Sequence, residues 1–215
     1  MSGLSTPHKF RLGLGSAGML MTPAEFDSVT DYDDRYRYEL IKGVLVASPT
    51  PSRQERHPNE QLGYWLRQYQ EDHPQGSSLD LTLPEEEIQI NQDRRRVDRA
   101  IWAGLGRDPG ETETPTIVVE FVSQGKVNQE RDYVAKRAEY REIGIRQYWV
   151  VDRFRRTLTV YSFGGEKDEE LVIHEGQKYA PPLLLGFELD VARLLAYADR
   201  WAKKERKRKP PGTSD

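Results

Sequence analysis

The chain contains no cysteine, which excludes disulfides and thiolate metal sites and is compatible with a reducing, cytoplasmic setting. No apolar stretch approaches the ~20 residues that would span a bilayer, so a membrane is not an expected partner. A secretory signal would need a firm apolar core of ~7–15 residues, and Gly13, Gly15 and Gly18 dilute the only weak patch near the start. A strong charge of one sign is lacking too. The formal net charge is -3, which does not announce a surface for polyanions. What is present is 215 residues, 36% hydrophobic and 31% charged, enough for one ordinary domain with a modest core and a heavily charged exterior.

Along the chain, residues 1–20 show little periodicity and read as a disordered extension, with Met19 or Met21 an equally good start. Thr22-Pro23-Ala24-Glu25 has the pattern of a helix start, with Thr22 as N-cap and Glu25 completing a capping box. Two short apolar-alternating runs flank Lys42-Gly43 and predict a hairpin. Leu62, Trp65, Leu66 and Tyr69 recur at helical spacing and predict an amphipathic helix over 55–70. Strands are expected at 79–83, 87–90, 97–102 and 116–122, then a helix over 128–143 ending at Gly144, then strands at 146–152, 157–163 and 170–174. The strand-helix-strand order around 116–152 predicts a parallel pair joined by a right-handed crossover. A closing helix is expected over 191–202. The segment 201–215, with Lys203, Lys204, Arg206, Lys207, Arg208 and Lys209, reads as a disordered basic tail, either merely solvated or tracking phosphates.

The most informative residue is Glu120, which interrupts the apolar run Thr116–Val122. Such a run fits a central strand buried on both faces. A carboxylate there loses its water and must be paired, protonated or bound to a metal ion. Asp98 lies in the preceding strand, where alternation sets it with Ala100 and Trp102 on one face and Val97 with Ile101 on the other. Lys136 shares a helical stripe with Tyr133, Tyr140 and Ile143, which aims it inward. Structural alternatives stand beside each residue. Asp98 could be an exposed acid paired with Arg96 or Arg99, Glu120 could sit in a buried pair with an arginine, and Lys136 could pair with Asp132. Arg56-His57 at a helix start could touch a phosphate or be partly exposed with no such task. Two acids and an ammonium together are what metal-assisted phosphodiester hydrolysis needs. Mg²⁺ prefers hard oxygen ligands, here Asp98 and Glu120, and Lys136 would activate a water or stabilise the developing oxyanion.

These residues, with Met21–Phe26, Tyr38–Gly43, Val97-Asp98, Val119–Ser123, Arg131-Asp132, Lys136, Tyr140, Gly144 and Tyr148–Asp152, make the chain resemble the Uma-two type of endonuclease. That type lies within the PD-(D/E)XK, or restriction-endonuclease-like, superfamily, and the resemblance runs from about Met21 to Leu195. It implies a single-domain α/β fold over 21–200, with a mixed β-sheet flanked by helices. It also implies a Mg²⁺ (or Mn²⁺) site with Asp98 and Glu120 as metal ligands, Glu39 completing the acidic cluster, Lys136 as catalytic lysine, and DNA as substrate. A homodimer would suit symmetric cutting. Two positions depart from the pattern. Val97 stands where a proline is expected, and Val122 where the strand lysine would be; Lys136 matches the migrated place of that lysine. The rival readings are a catalytically degenerate module of this fold that binds nucleic acid or a protein, and a carboxylate-pair glycosidase. An inward Lys136 and the lack of a sugar-stacking platform beyond Trp102 argue against the glycosidase.

Overall fold

The computed structural model describes residues 11–125, 131–165 and 167–206. The chain packs as two compact units, one from residues up to Thr50 with Glu87–Arg96, the other from Pro51–Glu86 and the residues from Val97 onward.

In the first unit, Thr22 caps α1 (Pro23–Asp27) as expected. Its backbone N–H donates to Glu25 Oε2 at 2.8 Å, and the Glu25 N–H donates to Thr22 Oγ1 at 3.2 Å. Strands β1 (Tyr36–Ile41) and β2 (Val44–Pro49) pair antiparallel. Their two-residue turn places Lys42 at φ 51° and Gly43 at φ 74°, the left-handed pair that matches the twist of a hairpin. The expected disorder of 1–20 does not hold for residues 11–20. Leu12 is buried with Phe26, Tyr38, Leu40 and Leu45, and its backbone exchanges hydrogen bonds with Asp31 and Asp33 at 2.9 Å. Gly18 and Met19 bond to Leu45 at 2.8 Å. The segment is ordered by backbone partners remote in sequence and one apolar anchor, neither of which leaves a periodic trace. Residues 1–10 lie outside the described residues.

Two long strands, β3 (Leu79–Ile90) and β4 (Asp93–Ala103), each contribute residues to both units. The two short strands expected at 79–83 and 87–90 are one. Pro84 lies within it and Glu85 takes a positive φ of 56°, a local irregularity that the chain absorbs without ending the strand.

In the second unit, β4 pairs with β3 and is followed by β5 (Ile117–Phe121), β6 (Gln147–Asp152), β7 (Thr157–Ser162) and β8 (Glu169–His174) in that order. Only β5 and β6 run parallel along this path, as the crossover requires. The connection includes residues 126–130, which are not described, then a π-helical turn Arg131–Ala135 and α3 (Lys136–Glu142). It closes at Gly144, whose φ is 82°. The long helices α2 (Arg53–Asp72) and α4 (Val191–Arg206) cover one sheet face with an apolar core that includes Leu62, Leu66, Ile101, Val119, Trp149 and Leu194. A small hairpin, β9 (Lys178–Tyr179) and β10 (Leu189–Asp190), precedes α4. Helix α4 runs four residues beyond the expected 202, so the tail starts as helix rather than disorder; residues 207–215 lie outside the described residues. The architecture is a mixed sheet flanked by helices, and among the described residues no helix is long and apolar enough to cross a membrane.

Candidate active site

Two neighbouring strands and one short helix build the site on the sheet face away from α2 and α4. The antiparallel register pairs Arg99 with Val119 and Ala100 with Val118, so one further step sets Asp98 opposite Glu120. Directly opposed residues of a sheet present their side chains to the same face a few ångströms apart. Asp98 is 5% and Glu120 3% exposed, so both carboxylates have left bulk water. Asp98 is therefore not the exposed strand-edge acid of the structural alternative. Its Oδ2 accepts the backbone N–H of Phe121 at 2.7 Å, which pins it against β5.

Lys136 does face inward. Its Nζ lies 2.8 Å from Glu120 Oε1 and 3.4 Å from Asp132 Oδ1, and the side chain is buried. The pairing with Asp132 named by the structural alternative is present, and the same ammonium also reaches the strand acid Glu120. The Tyr140 hydroxyl donates to the same Glu120 Oε1 at 2.7 Å, and the Tyr148 hydroxyl donates to the Asp132 carbonyl at 2.7 Å. Two donors therefore converge on one oxygen of Glu120. Burial pushes the Glu120 carboxyl up, to about 7; the Lys136 ammonium opposes this, while the Asp98 and Asp132 charges add to it. Burial likewise holds the Tyr148 hydroxyl well above its ordinary value, helped by the nearby Glu120 carboxylate.

The structure brings together Asp98, Glu120 and Lys136 within one unit. Glu39 belongs to the other unit, where it is buried, accepts the Arg96 backbone N–H at 3.2 Å and lies 3.8 Å from the Arg95 guanidinium. His57 is a packing residue. Its Nδ1 accepts the Trp201 indole N–H at 3.0 Å, and its ring meets Tyr197 edge-on at 4.9 Å, so α2 and α4 occupy it. Sequence reasoning assigns no task to Tyr140. The usable signal is its place one helical turn after Lys136 on the same stripe. Asp132 enters from sequence as a competitor for the lysine and, with Arg131, among the residues of the family resemblance.

The residues present suit a hard divalent cation in chemistry and number. Mg²⁺ takes one or two carboxylates and completes its shell with water and substrate oxygens. Asp98 and Glu120 are a pair of that kind, and Lys136 and Tyr140 both act on Oε1 of Glu120. Among the described residues no group of three or more His, Asp or Glu side chains is arranged to cage an ion by itself.

Comparison with known proteins bears on the fold and the family. A crystal structure described as a putative nuclease belonging to DUF820, from Anabaena variabilis, superposes with a TM-score of 0.62 at 14% identity, covering 83% of this chain and 99% of that one. At that identity the likeness is one of fold. Among curated proteins, none matches this sequence. The sequence profile of the Uma2 family, described as "Putative restriction endonuclease", matches residues 23–192, a span that contains every residue of the acid-lysine group. The chain belongs to the Uma2 family.

Proposed function

We propose that this protein hydrolyses DNA phosphodiester bonds with a divalent cation, Mg²⁺ or Mn²⁺, held by Asp98 and Glu120. One observation carries the reading: two buried carboxylates from adjacent strands meet on one face, with an ammonium 2.8 Å from one of them. When bound, the cation supplies Lewis-acid neutralisation of charge on the phosphoryl oxygens and acidifies a bound water. The rest falls to the chain. The Phe121 N–H fixes the Asp98 carboxylate, and the Tyr140 hydroxyl fixes that of Glu120, so neither must reorganise as the reaction proceeds. Lys136 counters the effect of burial and keeps a larger fraction of Glu120 ionised. Its ammonium, steadied by Asp132, also offers positive charge where a phosphate would approach.

The test is relaxation and linearisation of supercoiled plasmid with Mg²⁺ or Mn²⁺. Glu120→Gln or Asp98→Asn should lower the rate at least about 100-fold while the fold is kept, as judged by circular dichroism. Unchanged turnover in either variant removes the assignment. The closure of Lys136 onto Glu120 also favours a second reading, a metal-free module of this fold that binds nucleic acid or a protein partner. That reading holds if the wild-type chain neither cuts nor binds a divalent ion.

A further inference from the structure

The turn from β6 to β7 carries three arginines and a phenylalanine in four residues, Arg153-Phe154-Arg155-Arg156, in a chain whose net charge is -3. Asp152, fully buried at the end of β6, holds this turn in shape. Its Oδ1 accepts the backbone N–H groups of Phe154 at 2.8 Å and Arg155 at 2.9 Å, and its Oδ2 accepts the Tyr133 hydroxyl at 3.1 Å. The Arg155 guanidinium lies 4.6 Å over the Tyr133 ring, and that of Arg153 lies 4.5 Å over the ring of Phe154. The Arg155 Nε also lies 3.6 Å from Asp152 Oδ2, with most of that side chain exposed, while Arg156 is bound to Glu175 and Asp199. Phe154 is 45% exposed at the tip, an apolar ring between two cations rather than part of an apolar patch. An exposed ring with the exposed Arg155 and the half-buried Arg153 on either side of it matches the needs of a polynucleotide: bases stack on the ring, and planar guanidiniums take phosphates.

Position makes the turn useful. Because β5 and β6 are parallel, with Glu120 beside Val150, their carboxyl ends lie together, and the Val122 N–H donates to the Val151 carbonyl at 3.0 Å. The turn thus starts three residues past the neighbour of Glu120, at the strand ends where open α/β sheets receive ligands. Tyr133, under Arg155, lies three residues before Lys136. We propose that Arg153, Phe154 and Arg155 grip the substrate strand beside the acid-lysine group, with the two guanidiniums on phosphates and Phe154 stacked on an unpaired base. This rests on the nuclease reading for its purpose, but its test does not need cleavage.

Binding of a fluorescein-labelled single-stranded oligonucleotide is followed by anisotropy in EDTA over a series of salt concentrations. The double variant Arg153→Ala, Arg155→Ala should bind about tenfold or more weakly, with the slope of log affinity against log salt reduced by about 1.4, or about 0.7 for each phosphate no longer neutralised. Phe154→Ala should weaken binding about tenfold with the slope unchanged, and Phe154→Trp should restore it. Thermal melting checks that each variant folds. Wild-type affinity and slope in the double variant overturn the proposal, as does a wild-type chain that binds no oligonucleotide. The two readings fail separately: cleavage retained in Glu120→Gln removes the metal-site assignment while the anisotropy data still decide the turn.

Discussion

On the α2 side of β4, Arg99 is fully buried, yet among the described residues its guanidinium donates to neutral acceptors. Nε donates to Asn59 Oδ1 at 2.7 Å, and the terminal nitrogens donate to the Asn59 carbonyl and Thr82 Oγ1, each at 3.0 Å. Burial lowers its pKa to about 10, so it stays charged at neutral pH. One residue earlier in the same strand, on the α3 side, Asp98 belongs to a group in which neighbouring carboxylates add to the proton affinity of Glu120. The two faces bury charge by opposite means. Arg99 is a cation with three of its donors met by lone pairs in fixed geometry, an arrangement that suits packing. The acid group is crowded with like charge and is stabilised by whatever brings positive charge to it. Asn59 joins the two, because its Nδ2 donates to the Asp98 carbonyl at 2.7 Å while its Oδ1 serves Arg99.

The comparison can be broken most sharply at Arg99. Arg99→Met removes the cation and leaves two Asn59 oxygens and the Thr82 hydroxyl without their donor. A loss of about 3 kcal/mol is expected, and with it a fall in melting temperature of roughly 6–12 °C. A melt indistinguishable from wild type would show that this face does not depend on its guanidinium.

The next largest effect concerns pH. A Glu120 pKa raised to about 7 means that below this pH a proton competes with a metal ion for the carboxylate, and above it the competition ends. Mn²⁺ affinity should therefore weaken by up to about tenfold per pH unit below neutrality and level off above it. A flat affinity between pH 5 and 7 contradicts the raised pKa. Gly63→Ala is a smaller perturbation. A Cβ there would lie 2.5 Å from an Arg99 guanidinium nitrogen, a group held by its three hydrogen bonds. The gain of about 1 kcal/mol in helix propensity should be outweighed, for a net loss of about 1 kcal/mol by chemical denaturation. Net stabilisation would mean the guanidinium moves freely.

An effect of similar size belongs to the first unit. Glu39 is a buried acid held by an arginine and a backbone N–H, and Glu39→Gln keeps the shape while weakening the ion pair at 3.8 Å. A cost of about 1 kcal/mol is expected from urea unfolding. A cost several times larger would make this ion pair a main support of its unit.

Glu120 is legible in the sequence because a lone carboxylate in a β-branched run has few physical excuses. Lys136 is legible because its stripe follows helical spacing. The capping box at Thr22 and the turn at Lys42-Gly43 are local rules, and both carry through to the fold. Adjacency alone suggests Arg99 as a partner for Asp98, although successive strand residues point to opposite faces. Its true partner on α2, Asn59, sits about 40 residues away in sequence, where no periodicity points to it. The long strand β3 reads as two because Pro84 looks like a strand breaker, and Leu12 escapes notice because a single buried leucine among glycines has no pattern.

The central claim is that Asp98 and Glu120 together hold a divalent cation. Calorimetric titration of Mn²⁺ into the wild-type chain at pH 8 tests it most directly, with Asp98→Asn and Glu120→Gln titrated alongside. The account predicts saturable uptake of about one ion per chain, lost in both variants. Absence of saturable uptake in the wild type, or equal affinity in the variants, contradicts it.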